Sequence, residues 1–242
     1  MKPIYEAFLA SKKKNQKGLA ILIDPDKIAL ENLDLLLLKI QKTPATHLFV
    51  GGSSVSNNII DQIIIEAKKH LNIPILLFPG HPSQISKHAD GILFLSLISG
   101  RNPDYLIDFQ VQSVPILSQT NLEIIATSYI LIDGGCTTAV ERVSQTTPLS
   151  QDNPSYIAQT ARAGEMMGSQ CVYLEAGSGA IKSVSENIIK QVRQHISIPI
   201  IVGGGIKNQA QITAIFQAGA DLVVIGTAFE NDNHFFENLF LF

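Results

Sequence analysis

The chain has 242 residues, 45% of them hydrophobic and 16% charged, with a mean hydropathy of +0.20, so it can bury a sizeable core and lacks the composition of a disordered chain. Its net charge of -3, with no long Lys/Arg tract beside interleaved aromatics, excludes the electrostatic footprint of a nucleic-acid binder. The two cysteines, Cys136 and Cys171, form no CxxC pair and suggest neither a zinc site nor a disulfide framework.

In chain order, the N-terminal segment carries "SKKKNQK" rather than an apolar secretory run. The longest apolar stretches, "LDLLLLKI" and "GILFLSLISG", fall short of the roughly 20 residues that span a bilayer, and the expected location is cytoplasmic. Short runs rich in Ile, Val and Leu then alternate with segments of helical periodicity, the βα pattern of a parallel sheet. The runs are "LAILID" (19–24), "HLFVGG" (47–52), "IPILLFPG" (73–80), "GILFLS" (91–96), "YILIDGG" (129–135), "CVYLEAGSG" (171–179), "IPIIVGGG" (198–205) and "DLVVIGT" (221–227). Eight such strands close a (β/α)8 TIM barrel, here read as one domain over 1–242 because no linker or composition shift divides the chain. Apolar residues three and four apart predict helices in "NNIIDQIIIEAKKH" (57–70), "SENIIKQVRQHI" (185–196) and "NQAQITAIFQAG" (208–219). Between the third and fourth strands, "PGHPSQISKHAD" (79–90) holds Pro82 in a short spacing, so one helix is expected to be missing or replaced there.

Candidate chemistry gathers where strands end. In "VYLEAGSGA" (172–180), Glu175 stands where an apolar run gives way to a glycine loop. "VGGGIKN" and "IGTAFEN", after the seventh and eighth strands, offer unobstructed backbone N–H groups, which is how such barrels hold a phosphate. A glycine at any one strand end serves equally to turn the chain into the next helix. "LIDPDK" places Asp24 at the end of the first strand, with Pro25 fixing the direction of the chain beyond it. Ser53 and Ser54 follow the second strand in "VGGSSVSNN". A carboxylate, hydroxyls and substrate oxygens suit Mg²⁺, although a lone carboxylate at a strand end also serves as a helix cap.

"LIDPDK", "VGGSS", "YLEAGSGA", "PIIVGGGIKN" and "GADLVVIGTAFE", in this order, resemble the geranylgeranylglyceryl phosphate synthase family, which includes bacterial heptaprenylglyceryl phosphate synthases. The similarity runs from about residue 18 to 230, and "YLEAGSG" is its specific element. The resemblance implies a Mg²⁺-dependent prenyltransferase that joins sn-glycerol 1-phosphate to an isoprenoid diphosphate, geranylgeranyl diphosphate first among the candidates, through an ether bond in phospholipid biosynthesis. It implies that Asp24 and Ser53 ligate Mg²⁺. Tyr173, Leu174, Glu175, Ala176, Gly177, Ser178 and Gly179 would hold glycerol phosphate, with Gly204, Gly205, Gly226 and Thr227 enclosing its phosphate. Glu175 would take the proton from the attacking hydroxyl.

The chain departs from the family at Leu22, where many members carry lysine; Lys27 and Arg101 are the candidates for the missing cationic contact. Thr227 replaces an Asn common among archaeal relatives and keeps a backbone N–H there. A prenyl groove is sought among Phe78, Pro79, Leu95, Leu97 and Ile98, and His81 stands beside them. Two other readings stay open: a phosphate-binding barrel that is an isomerase or lyase, and a noncatalytic binding barrel. The terminal "NHFFENLFLF" (233–242), with four Phe and two Leu, would close the barrel floor or cover a subunit contact, and a homo-oligomer is expected. The amphipathic product leaves peripheral membrane contact open, without stable insertion.

Overall fold

The computed structural model describes residues 3–52, 57–231 and 235–236. Its elements run α1 (Ile4–Lys13), β1 (Gly18–Ile23), α2 (Leu33–Gln41), β2 (His47–Val50), α3 (Asn57–His70), β3 (Ile75–Leu77) and β4 (Gly91–Leu97). They continue α4 (Phe109–Leu117), β5 (Glu123–Leu131), α5 (Ala139–Ser144), α6 (Pro154–Met166), β6 (Cys171–Glu175), α7 (Glu186–His195), β7 (Ile200–Gly203), α8 (Gln209–Ala218), β8 (Leu222–Ile225) and α9 (Thr227–Asn231). The strands pair in sequence order, all parallel, and β8 returns to β1 to close the barrel.

Burial on both faces explains why the strands read as unbroken apolar runs. Successive side chains alternate between two cores. On β6, Val172 and Leu174 join the layer between strands and helices. Cys171 and Tyr173 point into the barrel among Phe49, Leu76, Leu93 and Ile201. Glu175, two residues beyond Tyr173, therefore shares the inward face, level with Leu131 and Gly203 on the flanking strands.

Three features went beyond the sequence pattern. β5 begins at Glu123 rather than Tyr129, because its ladder with β4 runs from Gly91↔Glu123 to Leu97↔Tyr129 through a stretch carrying Thr127 and Ser128. α1 covers the barrel floor: Ile4 and Phe8 are buried in the inner core, and the Glu123 carboxylate accepts the N–H groups of Ile4 and Tyr5, the latter at 2.8 Å; of the C-terminal segment expected there, residues 237–242 lie outside the described residues. That carboxylate satisfies two of the donors a helix N-terminus leaves unpaired. Of the C-terminal aromatics, Phe235 and Phe236 are described, and both pack on the outer layer beside Phe229.

Between β3 and β4 there is only a single 3₁₀ turn, Pro82–Gln84, as the spacing predicted. The buried Gln84 side chain does part of the work of the missing helix. It accepts from Gly80 N–H at 2.8 Å and donates to the Gly52 carbonyl at 2.9 Å, tying the loops after β2 and β3 together. Across this gap lies a π-helical turn, Asp104–Asp108, leading into α4. The Ser96 hydroxyl donates to the Leu106 carbonyl at 2.8 Å and holds that turn against the end of β4.

Candidate active site

A cavity of about 920 Å³ opens at the carboxyl ends of the strands. Its base is aromatic. The Tyr173 ring stacks on Phe78 with centroids 5.1 Å apart, and Tyr129 lies 5.4 Å from Tyr173 and 6.0 Å from Phe78. Glu175 stands at the rim of this cluster, where the strand ends and holds its backbone fixed.

The Glu175 carboxylate is buried, and the lost hydration pushes its pKa up to about 7. The Gly177 N–H donates to Oε1 at 2.6 Å and, with the adjacent Tyr173 phenol, offsets part of that rise. Burial, with the Glu175 charge adding to it, raises the Tyr129 and Tyr173 phenols well above their ordinary value. The Tyr173 hydroxyl itself is buried without a hydrogen bond of acceptable geometry among the described residues. An orphaned buried hydroxyl costs free energy unless a ligand satisfies it.

The glycines around the carboxylate follow from contact distances. A Cβ on Gly204 would lie 2.3 Å from Glu175 Oε1 and 2.4 Å from the Gly177 nitrogen, and the residue has φ +82°. Gly177 has φ +98°, and a Cβ there would strike the Thr138 side chain at 2.2 Å. Only glycine accommodates both backbone conformation and contact at these positions.

Asp24 follows β1 and caps a 3₁₀ turn, Pro25–Lys27, accepting from the Asp26 N–H at 3.3 Å. Its other oxygen pairs with Lys27 Nζ at 3.4 Å. Lys27 Nζ also donates to Ser178 Oγ at 3.2 Å, and Ser178 Oγ lies 3.4 Å from Thr227 Oγ1. These contacts join the loops after β1, β6 and β8 across the mouth.

The structure brings together on the cavity wall Asp24, Tyr173, Glu175, Ser178, Gly179, Gly204, Gly205, Gly226 and Thr227 from the expected set. Leu174 and Ala176 are instead packed into the helix layer, so their side chains do not reach the cavity. Gly177 acts from behind through its N–H to Glu175. Ser53 lies outside the described residues. Of the two candidate cations, Lys27 lines the cavity, whereas Arg101 donates to the Ile98 and Gly100 carbonyls away from it, the latter at 2.6 Å.

Along the apolar arm, Phe78, Pro79, Leu95 and Leu97 line the wall as expected, but Ile98 packs in the outer layer against Gly164. Phe94, Tyr105 and Phe109 were not anticipated. Tyr105 and Phe109, four residues apart on one helical face, meet edge to face with centroids 4.9 Å apart; that spacing was the available signal. His81 lies edge-on to Phe109 at 5.0 Å, with Nδ1 accepting from the Ser83 N–H at 3.1 Å. This arm fills the gap left by the missing helix.

A carboxylate with a pKa near neutrality, an apolar aromatic base, oxygen donors and a glycine cradle can together bind an anion, shelter an electron-poor carbon and accept a proton. Comparison with known proteins gives this site a family. A profile of the PcrB family matches residues 12–240. A geranylgeranylglyceryl phosphate synthase of Flavobacterium johnsoniae is 59% identical over 235 residues, covering 97% of each chain. One of the same name from Pyrococcus furiosus is 35% identical, covering 93% of this chain and 90% of that one. The crystal structure of (S)-3-O-geranylgeranylglyceryl phosphate synthase from Thermoplasma acidophilum, in complex with its substrate sn-glycerol-1-phosphate, superposes with a TM-score of 0.91 at 32% identity, covering 98% of this chain and 95% of that one.

Proposed function

This chain belongs to the PcrB family, and on that footing we propose that it is a prenyltransferase forming an ether bond between sn-glycerol 1-phosphate and geranylgeranyl diphosphate, in ether-lipid synthesis. The observation that carries the reading is Glu175, a buried carboxylate titrating at about 7 between an aromatic pocket and a glycine cradle. The cavity of about 920 Å³ lies toward the upper end of the roughly 300–1,000 Å³ typical of small-molecule sites, as two substrates with one long chain require.

The bond between prenyl C1 and the diphosphate oxygen breaks, and its electron pair leaves with diphosphate. The allylic carbon is then electron-poor. Phe78, Tyr129 and Tyr173 surround it with ring faces and keep water from it. The glycerol hydroxyl attacks this carbon, and its proton passes to the Glu175 carboxylate as the new C–O bond forms. The cradle of Ser178, Gly204, Gly205, Gly226 and Thr227 orients the hydroxyl by its hold on the phosphate. The prenyl chain follows the arm lined by Phe94, Leu95, Tyr105 and Phe109.

Mg²⁺ dependence belongs to the same proposal. Among the described residues, the Asp24 oxygens have long contacts, to the Asp26 N–H at 3.3 Å and to Lys27 Nζ at 3.4 Å, and a carboxylate so loosely held fits a cation that keeps part of its shell for phosphate. Asp24 would hold the ion with Ser53, and the ion would neutralise the departing diphosphate. A second cluster, Asp34, Glu66 and His70 on α2 and α3, stands outside the barrel mouth and has no part in this reading. Self-association is proposed as well, and light scattering at working concentration tests it, a monomer removing it. No helix among the described residues is long and apolar enough to cross a membrane.

The test is transfer of radiolabelled sn-glycerol 1-phosphate into the organic phase with geranylgeranyl diphosphate, in Mg²⁺ and in EDTA. Transfer in Mg²⁺ alone supports the reading. Binding of both substrates without transfer returns the protein to a noncatalytic role.

A further inference from the structure

We propose that Lys27 is the residue that supplies positive charge to the phosphate of the glycerol substrate, and that its present pairing with Asp24 couples that phosphate to whatever cation Asp24 holds. This rests on the prenyltransferase reading given above. A phosphate monoester carries roughly -1.5 to -2 charge at neutral pH. The cradle itself is neutral: backbone N–H groups of the glycine loops and the hydroxyls of Ser178 and Thr227. Neutral donors alone leave most of such a charge uncompensated, and a cation in contact strengthens each hydrogen bond.

The strands do not provide that cation. Leu22, the last side chain of β1 on the inward face, lies beside Gly226, its Cβ 3.9 Å from where a Gly226 Cβ would sit. That strand end presents carbon to the cradle. Charge comes instead from the turn that follows. Lys27 Nζ touches Ser178 Oγ at 3.2 Å, and through it reaches Thr227. Among the described residues, Arg142 and Lys207 also line the cavity, but Lys207 Nζ is engaged by the Ile181 carbonyl at 3.0 Å.

Lys27 is shared. Its ammonium stands between Ser178 and Asp24, 3.4 Å from the carboxylate. A cation arriving at Asp24 competes for that carboxylate and releases the ammonium toward the cradle. Conversely, phosphate in the cradle draws the ammonium from Asp24 and leaves the carboxylate open to a cation. The two binding events thus favour one another, and the effect is reciprocal by linkage. The flexible, partly exposed lysine stem permits the small swing this requires.

Calorimetric titration of sn-glycerol 1-phosphate into wild type, Lys27→Met and Lys27→Arg, in EDTA and without prenyl donor, tests the assignment apart from turnover. Lys27→Met should bind about 10- to 100-fold more weakly and Lys27→Arg within a few fold of wild type. KM for geranylgeranyl diphosphate should change little, and the melting temperature should be that of wild type. Wild-type affinity in Lys27→Met overturns the inference, as does an equal loss for both substrates. A wild type that binds no sn-glycerol 1-phosphate overturns the prenyltransferase reading and this inference together, whereas normal wild-type binding with an unaffected variant overturns only the role of Lys27.

Discussion

Gly204 and Glu175 are packed so closely that a Cβ on the glycine would stand 2.3 Å from carboxylate Oε1. The loop after β7 thereby sets where the carboxylate of β6 points. Gly204→Ala should displace either the carboxylate or the loop, since φ +82° strains alanine as well. Misplacing a reacting group by about 1 Å costs on the order of 100-fold in rate. Initial rates at saturating prenyl donor should show that loss, and a rate within a few fold of wild type would mean that the loop does not set the base.

The second prediction is a pH profile. Glu175 must be ionised to accept a proton, so kcat/KM for sn-glycerol 1-phosphate should rise with pH through about 7. The substrate phosphate titrates near 6, so the assignment needs Glu175→Gln, whose residual rate should lack the limb at 7.

The same group governs stability with the opposite preference. Its folded pKa of about 7 lies above the unfolded value of 4.5, so its contribution is fully present below 4.5 and is lost as pH rises through 7. Glu175→Gln escapes that loss and should be more stable than wild type at pH 8 by on the order of 1–3 kcal/mol, with little difference near pH 4.5. Melting curves of the two proteins without ligand decide the matter; a gap independent of pH would contradict it.

Tyr173→Phe removes a buried hydroxyl that lies beside the Glu175 carboxylate without a hydrogen bond of acceptable geometry among the described residues. Apo stability should stay close to that of wild type, because the hydroxyl makes no well-formed hydrogen bond while the ring contacts with Phe78 and Tyr129 remain. Turnover should fall by about tenfold if substrate supplies the missing partner. A destabilised variant with normal turnover would assign the hydroxyl a structural role.

Glu123→Ala takes the acceptor from the first N–H groups of α1 and should cost about 1–2 kcal/mol. Because α1 plugs the end of the barrel away from the cavity, turnover at low temperature should persist. Faster amide exchange confined to α1 would show the plug loosening on its own.

The eight strands were legible because residues buried on both faces leave no polar interruption, as in Leu19 to Ile23 or Leu222 to Ile225. β5 was read short because Glu123 serves α1 and Thr127 and Ser128 break the apolar run, yet the ladder to β4 continues through them. Glu175 was legible as a charge ending such a run. Its company was not: Lys27 and Ser178 are 151 residues apart, and nothing local announces their contact. Leu174 shows the opposite limit, since the glycine-loop pattern includes it while strand alternation turns it outward. Ser53 lies outside the described residues, so the second oxygen ligand expected beside Asp24 rests on sequence.

The most direct measurement is single-turnover transfer of sn-glycerol 1-phosphate to geranylgeranyl diphosphate by wild type and Glu175→Gln, with both substrates shown to be bound. Loss of about 100-fold or more in the rate of ether formation, with binding retained, is the predicted result for removal of a general base. A variant that binds both substrates and forms the ether within a few fold of the wild-type rate would contradict the assignment of Glu175.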